Sequence, residues 1–168
     1  MKRESHAAGD CSKPGESPGP AFLLAQVGAH AAAKFAERLA KIEMVPAYAG
    51  IFRVLSATPA ISQQALAARL GTVPSRLVGL IDDLESKGLV ERRPHETDRR
   101  SYALHLTEKG KAKMGLVGRV AREHRQELLA ALSEEEQKQL ANFLQRIAEQ
   151  QGLIKGVHPG FARGPAGL

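Results

Sequence analysis

The chain has 168 residues and a formal net charge of +6, from 24 lysines and arginines against 18 aspartates and glutamates. Hydrophobic residues make up 43% and charged residues 25%, which is typical of a folded protein and not of a disordered one. The single cysteine excludes an intramolecular disulfide framework and any multi-thiolate zinc or iron–sulfur site. With no tryptophan, 2 tyrosines and 5 phenylalanines, an aromatic platform for single-stranded nucleic acid is not expected. The excess of positive charge favours a polyanionic partner.

Both ends of the chain differ in composition from its middle. Residues 1–20 and 152–168 are rich in glycine and proline, so we expect a flexible N-terminal arm and a flexible tail. No apolar run reaches the roughly 18 residues that a membrane span needs. The apolar run at 21–27 follows a long polar lead, unlike the core of a signal peptide. We therefore expect no membrane association and a cytoplasmic location.

The folded part of the chain is predicted to begin with two helices. Leu24, Phe35 and Leu39 recur on one stripe at three- and four-residue steps, which predicts an amphipathic helix over residues 22–42. Pro46 suits the first turn of a second helix, because the amides of that turn have no acceptor within the helix.

Two short helices are predicted next. Ser62 is a suitable N-cap for a helix over residues 63–70, and Gly71 then supplies a tight turn. Thr72 is expected to cap the following helix, which tolerates Pro74 in its first turn. A helix, a short turn containing glycine and a second helix form a helix-turn-helix.

From Gly88 onward the hydrophobic period changes from helical to alternating. Residues 89–92 and 102–106 have the pattern of two short strands, and the polar loop at 94–100 joins them. Two strands with a basic tip directly behind a helix-turn-helix form a wing.

Two long helices are predicted to complete the fold. The first begins at Thr107 and ends near Leu132, and Ser133 with Glu136 forms a capping box that opens the second. Four apolar side chains lie on one face of this last helix, namely Leu140, Phe143, Leu144 and Ile147. This face and the stripe on the first helix need a partner surface, either within the chain or on a second copy. The predicted fold is mainly α with a small β-hairpin wing.

The start of the second helix of the helix-turn-helix carries side chains suited to reading DNA. Thr72, Ser75 and Arg76 stand at its N-terminal turn, where short polar and basic side chains approach base edges in the major groove. Gln63, early in the preceding helix, is a candidate for a phosphate contact. The alternative is that Thr72 is only a cap and Arg76 only a solvated surface charge.

The predicted wing supplies further candidates for DNA contact. Arg99 and Arg100 lie at its tip, where a guanidinium can enter a narrow and strongly negative minor groove. Asp98, two residues before Arg100, is expected to hold that arginine or to fix the turn. Arg92 and Arg93 at the base are expected to contact phosphates. A generic charged hairpin is the alternative.

Between residues 62 and 110 the sequence resembles the MarR family of winged helix-turn-helix regulators. The resemblance is carried by five segments, which are LAARL at 66–70, RLV at 76–78, LESKGLV at 84–90, DRRS at 98–101 and LHLTEKG at 104–110. The family's wing motif, an aspartate and an arginine separated by one residue, falls on Asp98 and Arg100. Flanking helices in the family's order extend the resemblance to most of residues 22–150.

The resemblance implies an obligate homodimer that binds a pseudo-palindromic operator in double-stranded DNA. Its domains would be a dimerisation helix (21–45), a winged helix-turn-helix (46–110) and C-terminal dimerisation helices (111–151). It also implies a small aromatic or phenolic anion as effector, bound between the dimer helices and the winged lobe. The candidate lining residues are His30, Tyr48 and Phe52. The alternative is that Tyr48 and Phe52 are core residues and that His30 is structural.

Other classes of function are not expected. Cys11 lies in the loose arm, which does not suit a redox sensor, and the 6 histidines are too dispersed in sequence to predict a metal site. No phosphate-binding glycine loop, nucleophile elbow or zinc-protease motif is present, so neither an enzyme nor a cofactor is expected. Asp82 and Asp83 are predicted to form a solvated face.

The predicted function is that of a sequence-specific DNA-binding transcriptional regulator, a repressor released by a small-molecule effector. A winged-helix adaptor that binds protein instead of DNA is the alternative.

Overall fold

The computed structural model describes residues 18–94, 102–154 and 156–157. The predicted wing tip, with Asp98, Arg99 and Arg100, lies outside these residues, as does most of the predicted N-terminal arm. The described elements follow in the order α1 (Pro20–Ala40), α2 (Pro46–Ala57), β1 (Ile61–Ser62), α3 (Gln63–Leu70), α4 (Pro74–Ser86), β2 (Val90–Pro94), β3 (Tyr102–Leu106), α5 (Glu108–Leu128) and α6 (Glu134–Gln150). This is the mainly α fold with a β wing that the sequence predicts.

The wing belongs to a three-stranded antiparallel sheet with the order β1-β3-β2. The pairing of β2 with β3 runs from Val90 opposite Leu106 to Pro94 opposite Tyr102. The sequence predicted only these two strands. The third, β1, has two residues, which is too short for an alternating pattern to show. It pairs with β3 and leads directly into α3, so it fixes the start of the helix-turn-helix to the wing.

Four local signals are confirmed by the structure. The side-chain oxygens of Ser62, Thr107 and Ser133 each accept a hydrogen bond from the backbone N–H three residues later, at 3.2, 3.0 and 3.3 Å. The Glu136 carboxylate in turn accepts a hydrogen bond from the backbone N–H of Ser133, which completes the capping box. Gly71 ends α3 in the left-handed conformation, with φ of 60°.

The prediction that Thr72 caps α4 is wrong. The helix begins at Pro74, its N-cap is Val73, and no side chain caps it. Proline restricts the residue before it to extended backbone, so the non-helical N-cap conformation falls on Val73 and not on Thr72. The backbone N–H of Thr72 instead donates to the carbonyl of Ala67 at 3.1 Å and closes the end of α3. The Thr72 hydroxyl is buried and has no hydrogen-bond partner among the described residues.

The hydrophobic core lies inside the winged module. Its fully buried side chains from α2, α3, α4 and the sheet include Ile51, Phe52, Leu66, Leu70, Leu77, Ile81, Leu84, Val90 and Leu104. Burial of each large side chain contributes about 1.5–3 kcal/mol. Leu39 and Met44 connect α1 to this core. Because α4 packs through Leu77, Ile81 and Leu84, the opposite face of that helix is left on the surface.

The apolar face of α6 and the first half of the apolar face of α1 are not covered within the described part of the chain. No residue of α6 is buried, and Phe143 and Ile147 on its apolar face are 53% and 43% exposed. The first half of α1 is similarly uncovered, since Phe22 is 59% exposed and Val27 is 49% exposed. Within the described residues, intrachain packing, one of the two possibilities that the sequence left open, therefore covers the second half of the α1 stripe, where Leu39 is fully buried, but neither its first half nor the face of α6.

The start of the predicted tail contacts the folded body. Val157 is half-buried and packs against the core, and Ile154 lies against Gly71. Each described helix is too short or too polar to cross a membrane.

Candidate nucleic-acid interface

The N-terminal turn of α4 faces outward because the helix is fixed from its other side. Leu77, one residue after Arg76, is fully buried, whereas Ser75 is exposed and Arg76 is half-buried. No acidic residue occupies the first turn, so the positive end of the helix dipole is not neutralised there. This turn can donate hydrogen bonds to a base edge and attract a phosphate.

Arg92 at the base of the wing is the centre of a charged network. Its Nη2 atom donates to Asp82 Oδ1 at 2.5 Å, and its Nη1 atom forms an ion pair with Glu85. The backbone N–H of Arg92 also donates to Glu85 Oε1 at 3.3 Å. Burial opposes the charge on the guanidinium, but the hydrogen bond to Asp82 and the charge of Glu85 outweigh it and raise the pKa of Arg92.

This network changes the interpretation of several residues. The sequence predicted Arg92 as a phosphate contact, but its side chain is only 20% exposed and joins β2 to α4. Gln63 belongs to the same network, because its Oε1 atom accepts from Arg92 Nη2 at 3.3 Å. Asp82 and Asp83 remain largely solvated, with side chains that are 57% and 38% exposed, but each also forms an ion pair within the chain, Asp82 with Arg92 and Asp83 with Lys87.

Asp82 and Glu85 were missed as partners of Arg92 although the sequence carries a signal for them. The two carboxylates are three residues apart, so they lie on the same face of a helix. Nothing in the sequence shows that a strand arginine packs against that face, because this contact requires the tertiary fold.

Exchange of Arg92 for methionine, which keeps most of the apolar stem, is expected to lower the free energy of unfolding by about 1–2 kcal/mol. The substitution removes charge-assisted hydrogen bonds to two carboxylates that lie close together on α4. The measurement is urea unfolding followed by circular dichroism. Arg93→Met is the matched control, because Arg93 is 59% exposed and pairs only with Glu91 among the described residues. It is expected to change stability by no more than about 0.5 kcal/mol, and equal losses in the two variants would contradict the role of Arg92.

The two strands of the wing remain paired up to Pro94 and Tyr102. Asp98, Arg99 and Arg100 follow Pro94 in the sequence and lie outside the described residues. The predicted roles of these three residues remain predictions.

Tyr48 and Phe52, predicted to line an effector pocket, occupy different environments. Phe52 is fully buried in the core. Tyr48 is half-buried and its hydroxyl donates to the Asp83 carboxylate on α4. Lys87 lies 6.0 Å from the centre of the Tyr48 ring. Tyr48 thus connects α2 to the helix whose N-terminal turn faces outward.

His30, the third predicted pocket residue, lies elsewhere. It is exposed and lines an open groove of about 480 Å³ between α1 and α5, and neither Tyr48 nor Phe52 lines this groove. His124 faces it from α5, with its ring 5.4 Å from that of Phe35. Burial and the nearby charge of Arg38 lower the pKa of His124, which favours a neutral ring. The structure therefore does not bring the three predicted residues into one pocket.

A metal site is not formed by the described residues, where no group of three or more histidine, cysteine, aspartate or glutamate side chains could hold an ion.

Comparison with known proteins assigns this architecture to a family. A sequence profile described as the MarR family matches residues 44–101. A relative from Thauera aromatica, named as the proposed transcriptional regulatory protein for the hcr operon, is 33% identical over 118 residues, which cover 70% of this chain and 71% of the relative.

Solved structures with the same fold include complexes with DNA. The transcriptional repressor CouR bound to a 23-mer DNA duplex is 28% identical, with a TM-score of 0.70 over 77% of this chain and 92% of that one. A mutant MarR from E. coli complexed with operator DNA is 24% identical, with a TM-score of 0.67 over 76% of this chain and 91% of that one, and supports the fold alone. The chain therefore belongs to the MarR family of winged helix-turn-helix transcriptional regulators, which bind DNA and are not enzymes.

Proposed function

We propose that this protein is a homodimeric repressor that binds a pseudo-palindromic operator and is released from it by a small-molecule effector. The observation that carries the proposal is the placement of α4, which is held by its buried face while the turn with Ser75 and Arg76 faces outward. The neighbour CouR, a repressor bound to a DNA duplex, supports the direction of regulation. We expect the protein to act in the cytoplasm, where the operator lies.

The proposed dimer follows from the exposed apolar faces of α1 and α6. These faces lie outside the winged module, so a second copy can cover them without blocking α4. A two-fold dimer presents two recognition helices, which must lie about 34 Å apart to enter successive major grooves on one side of the duplex. The two-fold symmetry of this dimer is the reason that the operator is expected to be pseudo-palindromic.

In the proposed complex, Ser75 and Arg76 contact base edges or phosphates in the major groove. Arg99 and Arg100 at the wing tip contact the adjacent minor groove, and Asp98 orients Arg100. Two residues of the predicted interface are assigned other roles. Arg92 sets the position of the wing relative to α4, and Thr72 shapes the turn before that helix.

Effector release is proposed to act through the distance between the two recognition helices. A ligand that binds preferentially to a dimer whose recognition helices are not spaced for successive major grooves lowers DNA affinity by linkage. Tyr48 supports a site between α2 and α4, because a phenolic or carboxylate ligand that displaces its bond to Asp83 would change a contact of α4 directly. The adaptor alternative has no observation in its favour.

Exchange of Arg76 for alanine is expected to cost about 1–3 kcal/mol of operator binding, roughly 5- to 150-fold in Kd, if the guanidinium makes a bidentate base contact. The operator is first located by footprinting the DNA upstream of the protein's own gene, and Kd is then measured by gel shift at constant salt. Lys138→Ala is the control, because Lys138 is an exposed cation on α6. An unchanged affinity of the Arg76 variant would remove this residue from the interface, and failure of the wild type to bind any duplex would overturn the proposed function.

Repetition of the gel shift with a panel of aromatic acids tests effector release.

A further inference from the structure

The chain reverses direction at the end of α6 and returns to the winged module. Gly152 adopts φ of 65°, a left-handed conformation that glycine accepts without strain. The backbone N–H of Leu153 donates to the carbonyl of Ala148 at 2.9 Å, and that of Gly152 donates to Glu149 at 3.1 Å. This pair of bonds is a Schellman motif. The described residues that follow this motif, 154 and 156–157, are here named the C-terminal hook.

The hook contacts the turn of the helix-turn-helix. The Cδ1 atom of Ile154 lies 3.1 Å from the position that a β-carbon on residue 71 would take. Gly71 is the left-handed residue that ends α3 and leads to the recognition helix. Ile154 therefore packs directly beside this turn, in space that a β-carbon on residue 71 would crowd.

The hook also contacts α2 and the core. The Nη1 atom of Arg53 on α2 lies 2.9 Å from where a β-carbon on residue 156 would stand, so Gly156 is in close contact with this guanidinium. Val157 is half-buried and packs against the core cluster. Its backbone N–H donates to the carbonyl of Ile154 at 3.1 Å, which closes a turn within the hook.

The hook packs against the winged module, whereas α6, which precedes it, does not bury any residue there. That helix has no buried residue within the described chain, and its exposed apolar face is the one assigned above to the dimer. The hook thus connects a helix committed to the partner with the turn that leads to α4. Ile154 remains 57% exposed, so the contact is small enough to open and close without loss of the core.

We propose that the C-terminal hook is a positioning element that couples the dimer helices to the recognition helix and limits the half-site spacings that the dimer accepts. With the hook in place, the turn at Gly71 is held at a fixed distance from the end of α6. Without it, the winged module can shift relative to the dimer helices, and operators of other spacings become acceptable. This inference rests on the proposed function as a dimeric DNA-binding regulator.

The test compares the full-length protein with Ile154→Asp and with Ile154→Val, which removes only the contacting Cδ1 atom. Leu153→Asp is the matched control. Leu153 is 51% exposed, close to the value for Ile154, and the substitution makes the same chemical change one residue away. Circular dichroism and sedimentation first establish that each variant is folded and has the wild-type assembly state.

Two measurements are then made. Hydrogen exchange at the amides of Gly71 and Thr72 is expected to be at least about threefold faster in Ile154→Asp than in the wild type. The increase is expected to be smaller in Ile154→Val, and the rate is expected to be unchanged in Leu153→Asp. Gel shifts use duplexes whose half-sites are moved apart or together by one and two base pairs. The ratio of Kd values between the other spacings and the best spacing is expected to be at least about threefold smaller in Ile154→Asp than in the wild type. The Kd for the best spacing itself is expected to change less.

The outcomes separate this proposal from the one on which it rests. If the wild type binds no duplex, the proposed function fails and the role of the hook in spacing fails with it. If the wild type binds with a clear spacing preference and Ile154→Asp keeps both that preference and the exchange rates, the hook proposal alone is overturned. Equal effects from Leu153→Asp would likewise overturn it, because they would not depend on the contact with Gly71.

Discussion

Replacement of Gly110 by alanine is expected to lower the free energy of unfolding by about 3 kcal/mol, the upper end of what an overpacked core usually costs. A β-carbon on residue 110 would stand 2.0 Å from the carbonyl oxygen of Leu89 and 3.4 Å from Cδ2 of Leu106. The first of these atoms belongs to the backbone, so it cannot move aside as a flexible side chain can. The Leu89 carbonyl is also held in place, because it accepts a hydrogen bond from the backbone N–H of Thr107 at 3.2 Å.

Gly115→Ala in the same helix is the control for this prediction. It lies on an exposed part of α5, and nothing is within 4 Å of the β-carbon that the substitution adds. Alanine is the better helix former there by up to about 1 kcal/mol, so this variant is expected to be more stable than the wild type. Urea unfolding of both variants measures the difference. If Gly110→Ala were as stable as Gly115→Ala, the close approach of α5 to the strand would not exist in solution.

The local signals in the sequence predicted the elements well, because each depends on residues close together in the chain. Ser62, Ser133 and Gly71 mark helix ends through hydrogen bonds and backbone conformations that involve three or four neighbouring residues. Thr72 shows the limit of this reasoning. The sequence-based prediction placed the cap of α4 at Thr72, but the restriction that Pro74 imposes on its predecessor places the N-cap at Val73.

Features that depend on distant residues were not predictable from the sequence. Arg92 reads as a surface cation until the fold places Asp82 and Glu85 beside it. Gly110 reads as a weak position in a helix until the backbone of Leu89 is found against it. The sequence therefore placed the candidate DNA interface at the start of α4 and the wing, which stays a prediction, whereas the residues that hold these two elements together came only from the structure.

A change of Phe143 to aspartate is expected to convert the protein to a monomer and to weaken operator binding by at least about 100-fold. Phe143 and Ile147 are four residues apart on one face of α6, and a second copy that covers this face would bury both. Each large side chain buried in such an interface contributes about 1.5–3 kcal/mol, whereas an aspartate there must lose its hydration without a partner. A monomer binds one half-site and loses the 10²- to 10⁴-fold gain, approximately, that two linked sites provide.

The assembly state of this variant is measured by sedimentation and its DNA affinity by gel shift. Lys138→Asp provides the control on α6, because Lys138 is exposed and forms an ion pair with Glu135 on the same helix. Since Phe143 is 53% exposed within the chain, its loss leaves the core of the winged module intact, and circular dichroism is expected to show a folded protein. A folded Phe143→Asp monomer that binds a half-site weakly would therefore separate assembly from recognition, which a variant in the core cannot do. A variant that dissociates over the same range of protein concentration as the wild type would instead show that α6 lies outside the interface. The exposed face of α1 would then form the interface alone.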